Sequence, residues 1–267
     1  MNKYNQIMLS ILGTLLVLTL LIGIGGLIYE WNASRQWDHR QEVGIASDEN
    51  VTALTKDSLR RQIISFQSVQ LLDTSQQLYL IPVGTTNLPG AERIDENDLL
   101  GLTNSFTVST GYYYTGENFN NLLLYEGTTG QSVALFEERV NISEFRILKH
   151  LGQLTVVLFV NRVDSNKDGF LTRSDMTQLV YYKVDARELV DIPLDGRDFR
   201  RIERMYPTDQ YIVYFGVDKN RNGLYEFKSE SQLLYRIDFV KDQLEPLILG
   251  EQLQELQGLL EGSKASH

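Results

Sequence analysis

The chain has 267 residues, enough for one large or two small domains beside a membrane anchor, and its 42% of apolar residues can build a core. Its formal net charge of −10 disfavours nucleic acid as a partner. The absence of cysteine excludes disulfides, thiol catalysis, cysteine-ligated zinc and a lipoprotein-type lipid anchor, and the scarcity of histidine disfavours a histidine-based site.

The first element in chain order is an apolar run near the N-terminus. Residues 7–29 contain no charged side chain, and a helix of this length spans the hydrocarbon core of a bilayer. Tyr4, Tyr29 and Trp31 flank the run, as aromatic residues do at membrane interfaces. We therefore predict a cytoplasmic stub and transmembrane anchor in residues 1–29.

The orientation of the anchor follows from the charges beside it. Lys3 and the α-amino group favour a cytoplasmic N-terminus, which places the large C-terminal part outside the cytoplasm. A cleaved signal peptide is the alternative, but its apolar region is shorter, and Gly23-Ile24-Gly25 is a poor cleavage site. The expected location is the bacterial inner (cytoplasmic) membrane, with a single pass and a periplasmic or otherwise extracytoplasmic C-terminal domain.

Three further regions follow the anchor. Residues 30–58 are polar and mixed in charge, which predicts a linker or stalk, or a frayed helix. Residues 59–249 consist of short apolar and aromatic runs between polar turns, which predicts an all-β domain of antiparallel strands. Residues 250–267 form a C-terminal helix and tail, which either caps the sheet or docks a partner. The leucines on one face of this helix are Leu253, Leu256, Leu259 and Leu260.

A loose repeat runs through the β region. Similar apolar strings surround Tyr79, Tyr125, Tyr182 and Tyr235, and each string precedes a polar turn and a second apolar stretch. Strand, turn and strand at a period of about 50 residues resembles WD40-like or TolB-like β-propeller repeats. The resemblance implies repeated antiparallel sheets in a propeller or partial propeller; an open sheet or a sandwich stays open as an alternative.

The sharpest local motif begins at Asp164. Oxygen-bearing side chains stand at positions 1, 3 and 5 of this segment, and Gly169 stands at position 6, where the chain reverses. The segment resembles the calcium loop of EF-hands and dockerins, although Asp replaces Glu at position 12 and strand-like runs flank it. The resemblance implies ligands from Asp164, Asn166, Asp168, the Phe170 carbonyl, Thr172 and Asp175.

A second copy of the motif begins at Asp218. Its implied ligands are Asp218, Asn220, Asn222, the Leu224 carbonyl, Glu226 and Glu230, the last lying one place beyond the usual closing position. Because Asn222 replaces an acid, we expect weaker binding here. We predict structural Ca²⁺ in both loops, more firmly in the first. Asx-Gly hairpin turns without metal are the alternative for both.

No reaction follows from the sequence. The chain has no Gly-rich phosphate loop, no Gly-x-Ser-x-Gly elbow and no His-Glu-x-x-His motif, and we interpret His150 as a surface turn residue. The leading hypothesis is a membrane-anchored, calcium-binding protein-interaction or assembly module, an accessory subunit of an envelope complex. The alternatives are a calcium-responsive sensor subunit, or an anchored hydrolase acting on glycans or peptides.

Overall fold

The computed structural model describes residues 44–93, 113–193 and 196–262. The predicted anchor, residues 7–29, lies outside these ranges. Two helices occur in them, α1 (Asp48–Lys56) and α2 (Gly250–Leu260). Neither helix in the described ranges combines enough length and apolar character to cross a membrane.

Most of the described chain is β-strand. The first strands are β1 (Ile45–Ala46), β2 (Leu59–Phe66), β3 (Gln70–Asp73), β4 (Leu78–Arg93), β5 (Tyr113–Glu126), β6 (Gln131–Ala134) and β7 (Asn141–His150). The next are β8 (Gln153–Asn161), β9 (Phe170–Leu171), β10 (Gln178–Lys183) and β11 (Glu188–Ile192). The last are β12 (Arg197–Met205), β13 (Gln210–Val217), β14 (Gln232–Asp238) and β15 (Gln243–Pro246).

These strands pair in three antiparallel sheets. A nine-stranded sheet has the path β11-β10-β8-β7-β5-β4-β2, with β3 beside β4 and β6 beside β5. A four-stranded sheet runs β12-β13-β14-β15 in chain order, and β1 pairs with β9. The predicted mostly β, antiparallel fold is therefore confirmed.

The described strands do not separate into propeller blades, because the first repeats share one sheet. Tyr79 and Tyr125, which mark two of the predicted repeats, are direct partners across β4 and β5, with ring centroids 6.2 Å apart. A repeated apolar string identifies similar strands but not their neighbours. Strands from successive repeats here pair with each other edge to edge.

The last two repeats nevertheless have the same topology. Strands β7, β8, β10 and β11 form a four-stranded meander, and β12 to β15 form another. In each meander a motif-bearing loop joins the second strand to the third: Asp164 follows β8, and Asp218 follows β13. The two motifs therefore occupy equivalent places in two equivalent units.

The central strands β8 and β10 are buried on both faces. On one face Val156, Leu158 and Val180 belong to a core cluster with Leu80 and Phe119 from β4 and β5. The large sheet therefore curls so that its first strands face its central ones. A strand covered on both sides must be apolar at nearly every position, which explains the continuous run in β8.

The opposite face of the same strands packs against the four-stranded sheet. Val157 and Tyr181 belong to a second core cluster with Phe199, Val213 and Ile237. Phe159 of β8 stacks on Phe199 of β12, with ring centroids 4.3 Å apart. The two meanders are therefore held face to face by a largely aromatic core.

Three regions differ from, or add to, the sequence predictions. His150 is not a surface turn residue: it is buried at the end of β7, and its ring lies edge-on to Phe239 with centroids 5.6 Å apart. Residues 44–58, the part of the predicted stalk that the structure describes, contain β1 and α1. Helix α2 is present, but none of its residues is buried, and Leu260 is 82% exposed, so the described chain gives no sheet-capping contact.

A polar contact also links the two sheets. The Tyr181 hydroxyl donates to Asp242 over 2.5 Å, and the Lys183 Nζ atom lies 2.7 Å from the same carboxylate. Burial and this hydrogen bond raise the pKa of Tyr181, so the phenol stays protonated and donates. Asp242 lies in the β14–β15 turn at a φ of 57°, a left-handed conformation that Asn also tolerates.

We predict that Asp242→Ala lowers the free energy of unfolding by about 1–3 kcal/mol, because it leaves a buried hydroxyl without its acceptor. Asp242→Asn keeps an acceptor and the backbone conformation, so it should lose less. Equilibrium denaturation measures both, with the exposed Asp185→Ala in the β10–β11 turn as control. Equal losses in the Ala and Asn variants would show that the hydroxyl does not depend on this acceptor.

Asp198 is a second buried carboxylate at the junction of the sheets, with 2% of its surface exposed. It accepts the Thr177 amide over 2.8 Å, and Arg200 donates to its other oxygen over 2.9 Å. Burial raises the pKa of Asp198, and Arg200 offsets the increase only in part. The folded state therefore binds this proton more tightly than the unfolded state does.

The resulting pH dependence has a defined sign. The contribution of Asp198 to stability is largest below its unfolded pKa of about 3.8 and falls as pH rises through its raised folded pKa. We expect the unfolding free energy of the wild type, minus that of Asp198→Asn, to decrease with rising pH in this window. Denaturation across a pH series tests it, with Asp185→Asn as control. A difference that increases with pH would mean that Arg200 outweighs burial.

Candidate metal loops

The first loop joins β8 to β10 and is organised by its own side chains. The Asp164 carboxylate accepts the backbone amides of Asp168 over 3.1 Å and Gly169 over 2.8 Å. Asn166 Oδ1 also accepts the Asp168 amide, over 2.9 Å. Two oxygens, from positions 1 and 3, therefore lie side by side at one peptide N–H. The Asn166 Nδ2 atom in turn donates to Asp168 over 3.0 Å, which brings position 5 to the same cluster.

Asp175 closes this loop from the far side. It is 1% exposed, and its Oδ1 accepts the amides of Ser165 over 2.8 Å and Asn166 over 3.2 Å. Its Oδ2 accepts the Thr172 amide over 2.8 Å. Burial raises the pKa of Asp175, while these backbone donors act in the opposite direction. The carboxylate thus connects positions 2, 3 and 9 of the loop.

The second loop, between β13 and β14, repeats the arrangement. Asp218 accepts the amides of Asn222 over 3.2 Å and Gly223 over 3.0 Å. Asn220 Oδ1 accepts the Asn222 amide over 2.9 Å, and Asn222 Oδ1 accepts the Leu224 amide over 2.9 Å. These are the same loop positions that are connected in the first copy.

Glu230 takes the closing place of the second loop. It accepts the amides of Lys219 over 2.7 Å, Asn220 over 3.2 Å and Glu226 over 2.9 Å, again positions 2, 3 and 9. The loop has one residue more than the first, and the longer Glu side chain spans the difference. The Glu226 backbone donor lowers the pKa of Glu230, opposite to the shift of Asp175.

The backbone conformation of the two loops matches as well. Position 4 is left-handed in both, with φ of 59° at Lys167 and 58° at Arg221. Position 6 is also left-handed, with φ of 91° at Gly169 and 82° at Gly223. Only Gly adopts this conformation without strain, which accounts for the glycine at position 6 in both motifs.

The two loops touch each other. A Cβ atom added to Gly223 would lie 2.2 Å from the Ser165 carbonyl oxygen, so the backbones are in direct contact. Ser165 also donates to Asp175, which closes its own loop. Ser165 is not among the residues predicted from the sequence motif. The only sequence signal for this contact is the recurrence of the motif after equivalent strands.

The first loop also pairs with strand β1, at the start of the first described range. Ala46 pairs with Phe170 and Ile45 with Leu171, so β1 adds a strand to positions 7 and 8 of the loop. The Ser47 amide donates to the Gly169 carbonyl over 2.9 Å. This contact was also missed, because β1 is too short to give a periodic signal.

The donor set of both loops consists of carboxylate, amide and carbonyl oxygens, the chemistry that a hard cation such as Ca²⁺ prefers. In each loop the side-chain oxygens of positions 1 and 3 meet at one backbone amide, that of Asp168 in the first loop and that of Asn222 in the second. Within the described ranges, however, no three His, Cys, Asp or Glu side chains are grouped as a metal cluster. An ion would use Asn oxygens and a backbone carbonyl beside the acids.

We predict that Gly223→Ala destabilises the protein more than Gly152→Ala. Both positions have nearly the same φ, 82° and 85°, but nothing lies within 4 Å of a Cβ at Gly152. Gly152→Ala should therefore cost only the left-handed strain of about 1–2 kcal/mol, and the excess in Gly223→Ala should measure the contact with Ser165. Urea denaturation gives both values. Equal losses would contradict close packing of the loops.

No family model matches the chain, and no curated protein matches it significantly. The interpretation of the two loops therefore rests on their own geometry.

Proposed function

We propose that this protein is a membrane-anchored, calcium-binding interaction or assembly module. In this proposal residues 7–29 hold the chain in the membrane, and the β domain outside the cytoplasm presents a calcium-stabilised surface to a protein partner. The protein acts by binding, as an accessory subunit of an envelope membrane complex. Nucleic acid is not a partner, because the chain is strongly acidic.

The observation that carries the proposal is the agreement between the two loops. Turn-forming Asx side chains alone explain the bonds of Asp164 and Asp218 to nearby amides. They do not explain why Asp175 and Glu230, at different sequence distances, both reach positions 2, 3 and 9. A closing carboxylate opposite a cluster of side-chain oxygens is the arrangement that an EF-hand-like calcium loop uses.

A structural role suits the place of the loops in the fold. Each loop connects the second and third strands of a meander, and the first also holds β1. A cysteine-free domain has no disulfide to close such long connections. An ion bound only by the folded state stabilises it by about 2.7 kcal/mol when its concentration is one hundred times Kd.

We expect Ca²⁺ to raise the midpoint of thermal unfolding, and Mg²⁺ to do so much less, because the loops offer flexible oxygen ligands. Asp164→Ala combined with Asp168→Ala should remove most of the calcium effect, and Asp218→Ala should remove a smaller part. Calcium should also slow hydrogen exchange at the Ser47 amide, which is bonded to the first loop. Scanning calorimetry and exchange mass spectrometry measure these effects.

The matched control is Asp73→Ala. Asp73 accepts the Ser75 amide over 2.7 Å in the β3–β4 turn, outside both loops. The Asp73→Ala substitution should lower the midpoint of thermal unfolding by the same amount with and without calcium. The calcium proposal is contradicted if the wild type and all variants unfold at the same midpoint in calcium and in EDTA. The two loops would then be turns that bind no metal.

The partner is tested separately with the tagged full-length chain, captured from mild-detergent membranes in calcium and in EDTA. A stoichiometric membrane protein in the calcium sample supports the accessory-subunit role. If EDTA releases it while the domain stays folded, the calcium-responsive sensor is favoured. Capture of the chain alone in both buffers contradicts an assembly role.

A further inference from the structure

A cavity of about 240 Å³ borders the core of the curled large sheet, between the β5–β6 hairpin and the β10–β11 hairpin. Most of its lining residues are apolar, including Leu124 and Leu135 on one side and Leu189 on the other. Among the described strands β6 pairs only with β5, and β11 pairs only with β10. The cavity therefore lies at a gap between two strand edges of the described sheet.

Val133 of β6 lies at the mouth of this cavity. It is the direct partner of Leu124 in β5, and directly paired side chains point to the same face of a sheet. Leu124 is buried in the core, yet Val133 is 62% exposed, so the described residues leave most of it uncovered. An apolar side chain on the core face of its strand is thus available to a molecule that enters the cavity.

Tyr182 of β10 supplies a polar group in the cavity wall. The residue is only 4% exposed, and its hydroxyl makes no hydrogen bond within the described residues. That hydroxyl is not among the unbonded polar atoms that are sealed from solvent, so a molecule in the cavity can reach it. Burial raises the pKa of Tyr182, which keeps the phenol neutral. A buried phenol usually has a hydrogen-bond partner, and here the described chain supplies none.

The two charged side chains that line the cavity neutralise each other. The Arg187 Nη2 atom lies 2.7 Å from Glu126 Oε1, and this hydrogen bond lowers the pKa of Glu126, so the carboxylate stays ionised. Gln131, which also lines the cavity, is neutral. The wall therefore favours an uncharged group.

Size and chemistry together select a flat aromatic group. An apolar cavity of about 150 Å³ holds one benzene ring, so a cavity of 240 Å³ has room for two fused rings. Among the amino-acid side chains, only tryptophan combines two fused rings with a single N–H donor and no charge. Tryptophan is also enriched among the residues that contribute most to protein–protein binding, where it fills pockets.

We propose that this cavity receives the indole ring of a tryptophan from a protein partner. The ring lies against Leu124, Val133 and Leu189, and its N–H donates to the Tyr182 hydroxyl. The inference rests on the proposed interaction role and specifies the side chain that the partner presents.

The test measures binding of the neutral probe N-acetyl-5-fluorotryptophanamide by fluorine NMR, with the full chain in lipid nanodiscs. Empty nanodiscs correct for partition of the probe into lipid. The wild type should bind the probe at least about fivefold more tightly than its 1-methyl derivative, which has no N–H to donate.

Tyr182→Phe keeps the ring and removes the hydroxyl, so it should abolish most of this preference. Tyr125→Phe is the matched control: Tyr125 follows Leu124 in β5 and points to the opposite face, so the preference should stay unchanged. Equal affinity of the wild type for the two compounds, or an unchanged preference in Tyr182→Phe, would overturn the proposal. A cavity that holds only water gives no binding at all, which also overturns it.

Val133→Asp places a charge at the mouth of the cavity. Because Val133 is exposed, this variant should keep the unfolding midpoint of the wild type but bind the probe several-fold more weakly. It should also lose the membrane partner that the wild type captures, and retention of that partner would count against the cavity as its docking site. The probe needs no partner. Capture of the chain alone therefore contradicts the proposed function, whereas unchanged probe binding in Val133→Asp contradicts only this inference.

Discussion

The structure depends on the burial of β8 and β10 from both sides. Val156 and Leu158 face the curled part of the large sheet, while Val157 and Phe159 face the four-stranded sheet. At roughly 1.5–3 kcal/mol for each fully buried large apolar side chain, these two strands contribute much of the stabilisation of the domain. The curled first strands of the large sheet pack on one of their faces, and the four-stranded sheet packs on the other.

This constraint also places the candidate metal loops. Both motifs leave the ends of buried strands, and the two meanders that carry them pack face to face through Phe159 and Phe199. The loops are thereby brought together at Ser165 and Gly223. Loss of order in one loop should therefore disturb the other through this backbone contact.

Much of the local structure could be predicted from the sequence. The strand-rich composition, the position of α2 and the flanking of both motifs by strands were predicted correctly. Sheet pairing was not, because repeated apolar strings are compatible with many strand orders. His150 illustrates the same limit: its polar side chain beside Gly152 suggests an exposed turn, yet Tyr211 and Phe239, distant in sequence, cover its ring.

By itself, the sequence determined the features that depend on interactions between residues close together in the chain. The spacing of Asp164, Asn166 and Asp168 and the glycine after them specify the loop conformation, because each bond spans at most five residues. The tertiary structure alone decided that β1 adds to the first loop and that the two loops meet. Those contacts join distant segments, and they form only because the central strands bury both faces.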